Sequence, residues 1–403
     1  MRPVYFIFLT LLIDSLGIGI IFPVMATILS EITGESINDA AAEGGLLMAI
    51  YAGMQFVFAP VLGGLSDRYG RRPVLLLSLL GLGLDYFILC FADSYTWLIV
   101  GRAIAGLCGG SFTTAYAYIA DVTAPEKRAQ AFGLMGAAFG LGFIVGPFVG
   151  GLFSDLGSRA PFVAAAVLSL LNFLYGLFVL PESLAKENRR PFDIRRANPF
   201  GAFLQLKKMR GVRLLVACMF LLYLAGQVMP AIWTFYTKYM FDWSDKAVGY
   251  SLAFVGVMVS IVQGGLIGWS QKAFGAVRSI YIGLGLYITG LLLFAFADQE
   301  WMMYAWTFIY ALGGVGPPSM QGIISSQVSA NEQGELQGML TSLMSLATVV
   351  SPLLMTWLFS YFTSPAAPVH FPGVSFLASG ILIGFAILLF VFRQTKSTVQ
   401  EAK

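Results

Sequence analysis

The chain has 403 residues, 58% of them hydrophobic and only 11% charged, with a mean hydropathy of +0.79. Soluble domains carry about 25% charged residues, so this composition excludes a soluble globular protein and points to one built within a bilayer. The net charge of +3 says less than where the charges fall.

A hydrocarbon core about 30 Å thick takes about 20 apolar residues per helix. Apolar runs ended by charges, Gly or Pro predict twelve spans, at 4–29, 45–65, 73–92, 96–120, 131–153 and 161–180, then at 213–240, 247–270, 279–298, 302–326, 336–361 and 373–392. Met1-Arg2-Pro3 leads directly into the first run without a small-residue cleavage site, so that span is expected to be retained rather than removed as a leader.

The first span reads LLIDSLGIGIIFPV over residues 11–24 and carries Asp14 in apolar surroundings. About ten residues separate Asp14 from the cytoplasmic end, which at 1.5 Å per residue is about 15 Å, near the midplane. A charge there costs about 2.5–3.5 kcal/mol on insertion scales and marks a functional site by default. No basic residue lies at that depth in the same or the next span, and a low dielectric without a cation favours the neutral carboxyl, so Asp14 could carry a proton. The alternative is a carboxylate bonded to backbone freed by Gly17, Gly19 and Pro23.

Between the second and third spans lies GGLSDRYGRR, residues 63–72. Its glycines permit a tight turn and Asp67 can face a basic residue or a helix N-terminus. Asp85 in the third span and Arg102 in the fourth both lie about 10–12 Å below the outer surface by the same arithmetic. They are expected to pair, and Asp85 either only neutralises Arg102 or also takes part in transport. The fifth span contains GFIVGPFVGG, residues 142–151, whose small residues allow close helix approach and whose Pro147 bends the rod.

Residues 181–212 form one long polar interruption at the midpoint, predicting an N-terminal bundle over 1–180, a cytoplasmic linker over 181–212 and a C-terminal bundle over 213–403. At an offset of about 205 residues the halves match weakly, as parallel repeats in transporters do. Gly146-Pro147 meets Ser351-Pro352, SDRYG (66–70) meets QKAFG (271–275), and VTAPE (122–126) meets VSANE (328–332). The fold class is therefore an all-α membrane protein with twelve transmembrane helices in two pseudo-symmetric six-helix bundles. Such proteins place the substrate path at the repeat interface, near the midplane, and work by alternating access. Gln55, Tyr116, Gln227, Trp233, Tyr236, Gln263 and Gln321 are candidates to line it, a mixture of aromatic and amide groups suited to a flat, partly polar molecule. Twenty of the twenty-four Lys and Arg residues fall on the side of the termini, so both termini are expected in the cytoplasm.

GGLSDRYGRR resembles the signature loop of the major facilitator superfamily, GxLxDRxGRR. The resemblance implies a gating latch formed by Gly63, Asp67, Arg68, Gly70, Arg71 and Arg72. RAIAGLCGG, residues 102–110, is similar to the superfamily's second motif and implies a part in proton coupling for Arg102. The helix 5 run, through Gly142, Gly146, Pro147, Gly150 and Gly151, resembles the motif that marks drug/proton antiporters. Beyond these, LIDSLGIGIIFPV, MQFVFAPVLGGLSDRYGRRPVLL, AYIADVTAPEKRAQAFGLM, AGQVMPAIW and GELQG resemble the tetracycline/proton antiporters of Gram-negative bacteria, in register over nearly the whole chain. That resemblance implies a coupling role for Asp14 and Asp85 and places Gln55 and Gln263 near the path. Two positions depart from it, because Val259 and Tyr287 stand where the family has a histidine and an aspartate.

The resulting expectation is a proton-coupled exporter of amphipathic drugs, tetracycline or related compounds among them, in the bacterial inner membrane. It would act as a monomer, draw on the proton gradient without a cofactor, and meet a divalent cation only with a tetracycline substrate. The alternative is a facilitator or symporter for a small metabolite with the same fold. Enzyme and nucleic-acid readings find no support. Cys90, Cys108 and Cys218 lie in apolar runs, GLGLD (81–85) falls inside a span, and the sole histidine, His370, sits in an outer loop.

Overall fold

A computed structural model describes residues 2–124, 127–192, 212–329 and 332–401. Most of the linker, residues 193–211, lies outside the described residues, as do Pro125, Glu126, Ala330 and Asn331 of the two matching turns. The described residues contain helices and no strand, as a bilayer demands of a chain that must satisfy its backbone within each span.

Several spans are broken where the sequence removes or weakens a helical bond. The first is α1 (Arg2–Ile21) followed, after a turn at Pro23, by α2 (Met25–Thr33). Proline has no N–H to donate, and the turn closes instead through Val24 N–H to Ile21 O at 3.2 Å. The second and third are α3 (Ala40–Tyr69) and α4 (Arg71–Phe91), separated only by Gly70 at φ 108, a conformation open to glycine. The fourth divides at Gly109-Gly110 into α5 (Tyr95–Cys108) and α6 (Ser111–Val122). Continuous α7 (Arg128–Ser154) and α8 (Ala160–Val179) complete the first six.

The seventh span is α9 (Arg213–Gly226) and α10 (Val228–Phe241), interrupted at Gln227. The eighth begins as α11 (Asp245–Ile261), widens into a π turn over Val262–Leu266, and continues into α12 (Ile267–Ala295), which turns at Gly275, φ 77, and so also carries the ninth. The tenth is α13 (Glu300–Leu312) and α14 (Gly316–Ser326) about a tight turn at Gly313–Val315. Two unbroken helices, α15 (Gln333–Thr363) and α16 (Val374–Glu401), complete the set. Ten of these helical stretches are long and apolar enough to cross a membrane. Asp245–Ala295 is counted once among them although it carries two spans, and the broken tenth span falls outside the count. The twelve predicted spans are thus all accounted for, with internal breaks in the first, fourth, seventh and tenth that hydrophobicity alone did not reveal.

The chain divides into two compact units, one of Met1–Pro199 with Trp243–Gly256, the other of Phe200–Asp242 with Val257–Lys403. In the first, α1 packs along α7, α4 against α8 and α3 against α5. Phe6, Ile7, Leu11, Leu75, Tyr118, Ile119 and Met135 belong to an apolar cluster within it. In the second, α9 and α12 both pack on α16, and α12 also packs on α13 and α14. Large apolar side chains point outward in quantity, Phe178 at 82% exposed and Phe91 at 69% among them. Such a surface would be costly in water and is at home in lipid.

Candidate transport site

Asp14 sits in the middle of α1 and is 4% exposed. Among the described residues its side-chain partner is Asn172 of α8, whose Nδ2 donates to Oδ1 at 3.5 Å, and Oδ2 has none. Asn172 also donates to Thr10 O at 3.3 Å and accepts from Thr10 Oγ1 at 3.3 Å. The carboxyl is therefore held by a side-chain amide rather than by backbone loosened at Gly17, Gly19 or Pro23. Sequence reasoning missed Asn172, although it is the only amide in the sixth span and its polarity alone singles it out.

Asp85 and Arg102 form the ion pair that their matching depths predict, Arg102 Nη2 donating to Asp85 Oδ2. The Asp85 side chain is fully buried and that of Arg102 is 11% exposed. The guanidinium lies 6.0 Å from the centre of the Tyr51 ring, within cation–π range. Asp85 can approach α5 because Gly101 has no side chain; a Cβ there would stand 2.7 Å from Asp85 Oδ1. Tyr51 and Tyr86 lie within electrostatic reach of both Asp14 and this pair. Tyr86 also fills the face of α1 at Gly17, where a Cβ would meet its hydroxyl at 2.8 Å.

The 63–72 loop is bound together through Arg71. Its Nη1 reaches Asp67 Oδ1 at 2.5 Å and Ser66 Oγ at 2.7 Å, while Nε reaches Asp121 Oδ2 at 3.1 Å. Arg71 is 8% exposed, so a set of charge-assisted bonds offsets its desolvation. Glu182, just beyond α8, accepts from Arg71 N–H at 2.8 Å and Arg72 N–H at 3.3 Å, capping α4. Arg72 Nη2 donates to Leu177 O at 2.7 Å. Arg68 is exposed and lies over the Tyr69 ring. Asp121 and Glu182 escaped the sequence reading because their partners come from distant segments.

The motif of α7 is a packing surface on both sides. A Cβ on Gly146 would stand 2.7 Å from Gly19 Cα and one on Gly142 would stand 2.8 Å from Leu16 N. A Cβ on Gly150 would overlap Ile20 O. A Cβ on Gly151 would face the other way and stand 3.1 Å from Lys246 Cα, and one on Gly249 would overlap Pro147 O. The start of α11 is further tied to this unit by Thr27 Oγ1 donating to Asp245 Oδ1 at 2.7 Å and by Lys246 Nζ with Asp155 Oδ2 at 2.5 Å.

The path candidates separate into two groups. Gln55 donates to Gly109 O at 2.9 Å and so satisfies a carbonyl freed at the α5–α6 break. Tyr116 is 39% exposed beside Phe132. Gln227 stands at the α9–α10 break, Gln263 is exposed in the π turn, and Gln321 Nε2 donates to Gln337 Oε1 at 3.1 Å. Trp233 and Tyr236, by contrast, are core residues of the second unit. They are 1% and 0% exposed, and Tyr236 donates to Phe294 O at 2.9 Å. Aromatic composition could not separate rings that line a path from rings that fill a core. Val259 packs on Val262, Ala311 and Val315. Tyr287 meets Tyr310 edge to face at 4.9 Å, beside a cavity of only about 30 Å³.

Buried charge inside lipid-facing helices, in two compact units, defines a multi-pass membrane transporter. The chain belongs to the Major Facilitator Superfamily, whose family model matches residues 7–297 and 215–403, and within it to the family of the tetracycline resistance proteins. It is 42% identical over 351 residues to the class C tetracycline resistance protein of Escherichia coli, covering 87% of this chain and 88% of that one. To the class H protein of Pasteurella multocida it is 35% identical over 401 residues, 98% of each chain. Among solved structures it is similar in fold to the human organic anion transporter MFSD10, with a TM-score of 0.70 and 23% identity over 96% of this chain and 98% of that one. The nucleoside transporter NupG gives a TM-score of 0.76 at 14% identity, covering 98% of this chain and 99% of that one.

Proposed function

We propose that the protein is a proton-coupled antiporter of the bacterial inner membrane that exports amphipathic drugs by alternating access, with both termini in the cytoplasm. The observation that carries this reading is Asp14, a buried carboxyl held by one amide and apart from the neutralised Asp85–Arg102 pair. Asp14 takes a proton from outside and gives it up inward as substrate leaves. The Asp85–Arg102 pair contributes to coupling, and the loop around Arg71 gates. The half-exposed amides and Tyr116 offer polar contacts to a flat molecule.

Tetracycline or a related compound is the substrate class that the named relatives suggest. A divalent cation would then arrive with the substrate, since the transporter itself runs on the proton gradient without a resident cofactor. The uncharged side chains at Val259 and Tyr287 favour a substrate that needs no ionised partner in the second unit. The transporter works as a monomer.

Drug-dependent proton movement in proteoliposomes tests the reading. Wild type is expected to export tetracycline or another panel drug uphill when a proton gradient is imposed, and Asp14→Asn to lose uphill export. Full gradient-driven export by Asp14→Asn would remove the carrier assignment. Saturable sugar or amino-acid exchange, with no proton flux for any drug, would instead establish the facilitator.

A further inference from the structure

We propose that Asn172 is the positioning residue for Asp14: Thr10 fixes its amide so that Nδ2 faces Asp14 Oδ1, leaving Oδ2 as the oxygen that takes and releases the proton. The proposal rests on the reading of Asp14 as proton carrier and goes beyond it by naming the group that orients the carboxyl and the oxygen that reacts.

The amide's orientation follows from its partners. Thr10 O can only accept, so the Asn172 atom facing it at 3.3 Å must be the NH₂ nitrogen. Thr10 Oγ1, which can donate, then faces Oδ1 of the amide. Thr10 and Asp14 are one turn apart on the same face of α1, so the second N–H of the same nitrogen is directed at Asp14 Oδ1, 3.5 Å away. Asn172 is 1% exposed and Thr10 also 1%, which leaves the amide little freedom to turn elsewhere.

An oxygen that faces an N–H donor is a poor place for a proton, because two hydrogens would then oppose each other. Oδ2 has no donor among the described residues, so the proton goes there. The bond to Oδ1 is long, and a carboxylate accepts more strongly than a carboxylic acid, so ionisation draws the amide in. Asn172 thereby stabilises the deprotonated state as the proton leaves.

The other groups around Asp14 do not supply this. Between Arg128 and Ser154, α7 presents no further ionisable side chain. On α6, Asp121 is engaged by Arg71, and Tyr116 and Tyr118 are phenols, Tyr118 donating to Pro181 O at 3.1 Å. On α8, Tyr175 stacks on Phe6. Tyr51 and Tyr86 lie within reach of Asp14 and also of Asp85 and Arg102, which pair with each other.

Infrared titration of the full chain in lipid tests this without requiring transport. The carboxyl C=O band that disappears in Asp14→Asn reports protonated Asp14. In Asn172→Leu the midpoint of that band is expected to rise by about one pH unit, the equivalent of one weak charge-assisted hydrogen bond. Thr10→Val, which frees the amide without removing it, should move the midpoint the same way by less. A folded Asn172→Leu protein whose midpoint equals that of wild type overturns the proposal; should that variant not fold, an unchanged midpoint in Thr10→Val does so. Loss of uphill export in Asp14→Asn alongside an unmoved midpoint in Asn172→Leu would leave the coupling reading standing and remove only this one.

Discussion

Gly146 of α7 and Gly19 of α1 meet backbone to backbone: a Cβ on the first would stand 2.7 Å from the Cα of the second, and one on Gly19 would stand 2.9 Å from Pro147 Cδ. Backbone cannot rotate out of the way as a side chain can, so any larger residue must push the helices apart. Gly146→Val is expected to lower stability by about 1–3 kcal/mol, the range for overpacking. Gly136→Val, on the same helix where an added Cβ meets nothing within 4 Å, should stay near wild type. Thermal unfolding of the two purified variants compares them directly.

The Asp85–Arg102 pair predicts a non-additive result. Arg102→Ala strands a fully buried carboxylate and should cost about 3–5 kcal/mol. The double variant Asp85→Asn with Arg102→Gln removes both charges and should recover most of that loss. A double-mutant cycle in thermal unfolding measures the coupling.

At the cytoplasmic loop, one guanidinium serves Asp67, Ser66 and Asp121 together. A lysine ammonium is a compact point charge and cannot span the three. Arg71→Lys is therefore expected to slow drug export about tenfold, the equivalent of one charge-assisted hydrogen bond. Arg68→Lys, at an exposed position whose one ring contact a lysine can keep, should slow export less. Initial export rates in inverted vesicles separate the two.

Gln55→Leu leaves Gly109 O without its side-chain donor at the α5–α6 break. Gly109 is buried, so stability should fall by about 1–3 kcal/mol. Gln263→Leu, at an exposed π-turn position, should leave stability unchanged and alter only substrate binding. Unfolding temperature and drug affinity, measured on both variants, distinguish a structural amide from one that faces the path.

Much of the fold was legible in the chain because a bilayer imposes one rule on every span. About 20 apolar residues and a satisfied backbone are required whatever the neighbours are, so hydropathy placed all twelve. The buried charges were legible for the same reason, since Asp14, Asp85 and Arg102 are costly enough to stand out against apolar sequence. Helix arithmetic also brought Asp85 and Arg102 to one depth, and they meet.

What the sequence could not decide was what each side chain touches. Trp233 and Tyr236 had the composition of a binding site and fill a core, because a ring buries equally well against a substrate or against Phe294 and Phe376. Gln55 had the chemistry to meet a ligand and bonds a broken helix. The partnership of Asp14 with Asn172, 158 residues away, and of Arg71 with Asp121 exists only once α8 and α6 are packed in place. Hydrophobicity is a property of each residue and can be read locally, so the sequence by itself determined the spans and the exceptional charges. Hydrogen bonds and close glycine contacts depend on the distance between segments, and only the tertiary structure decided which oxygen of Asp14 faces Asn172.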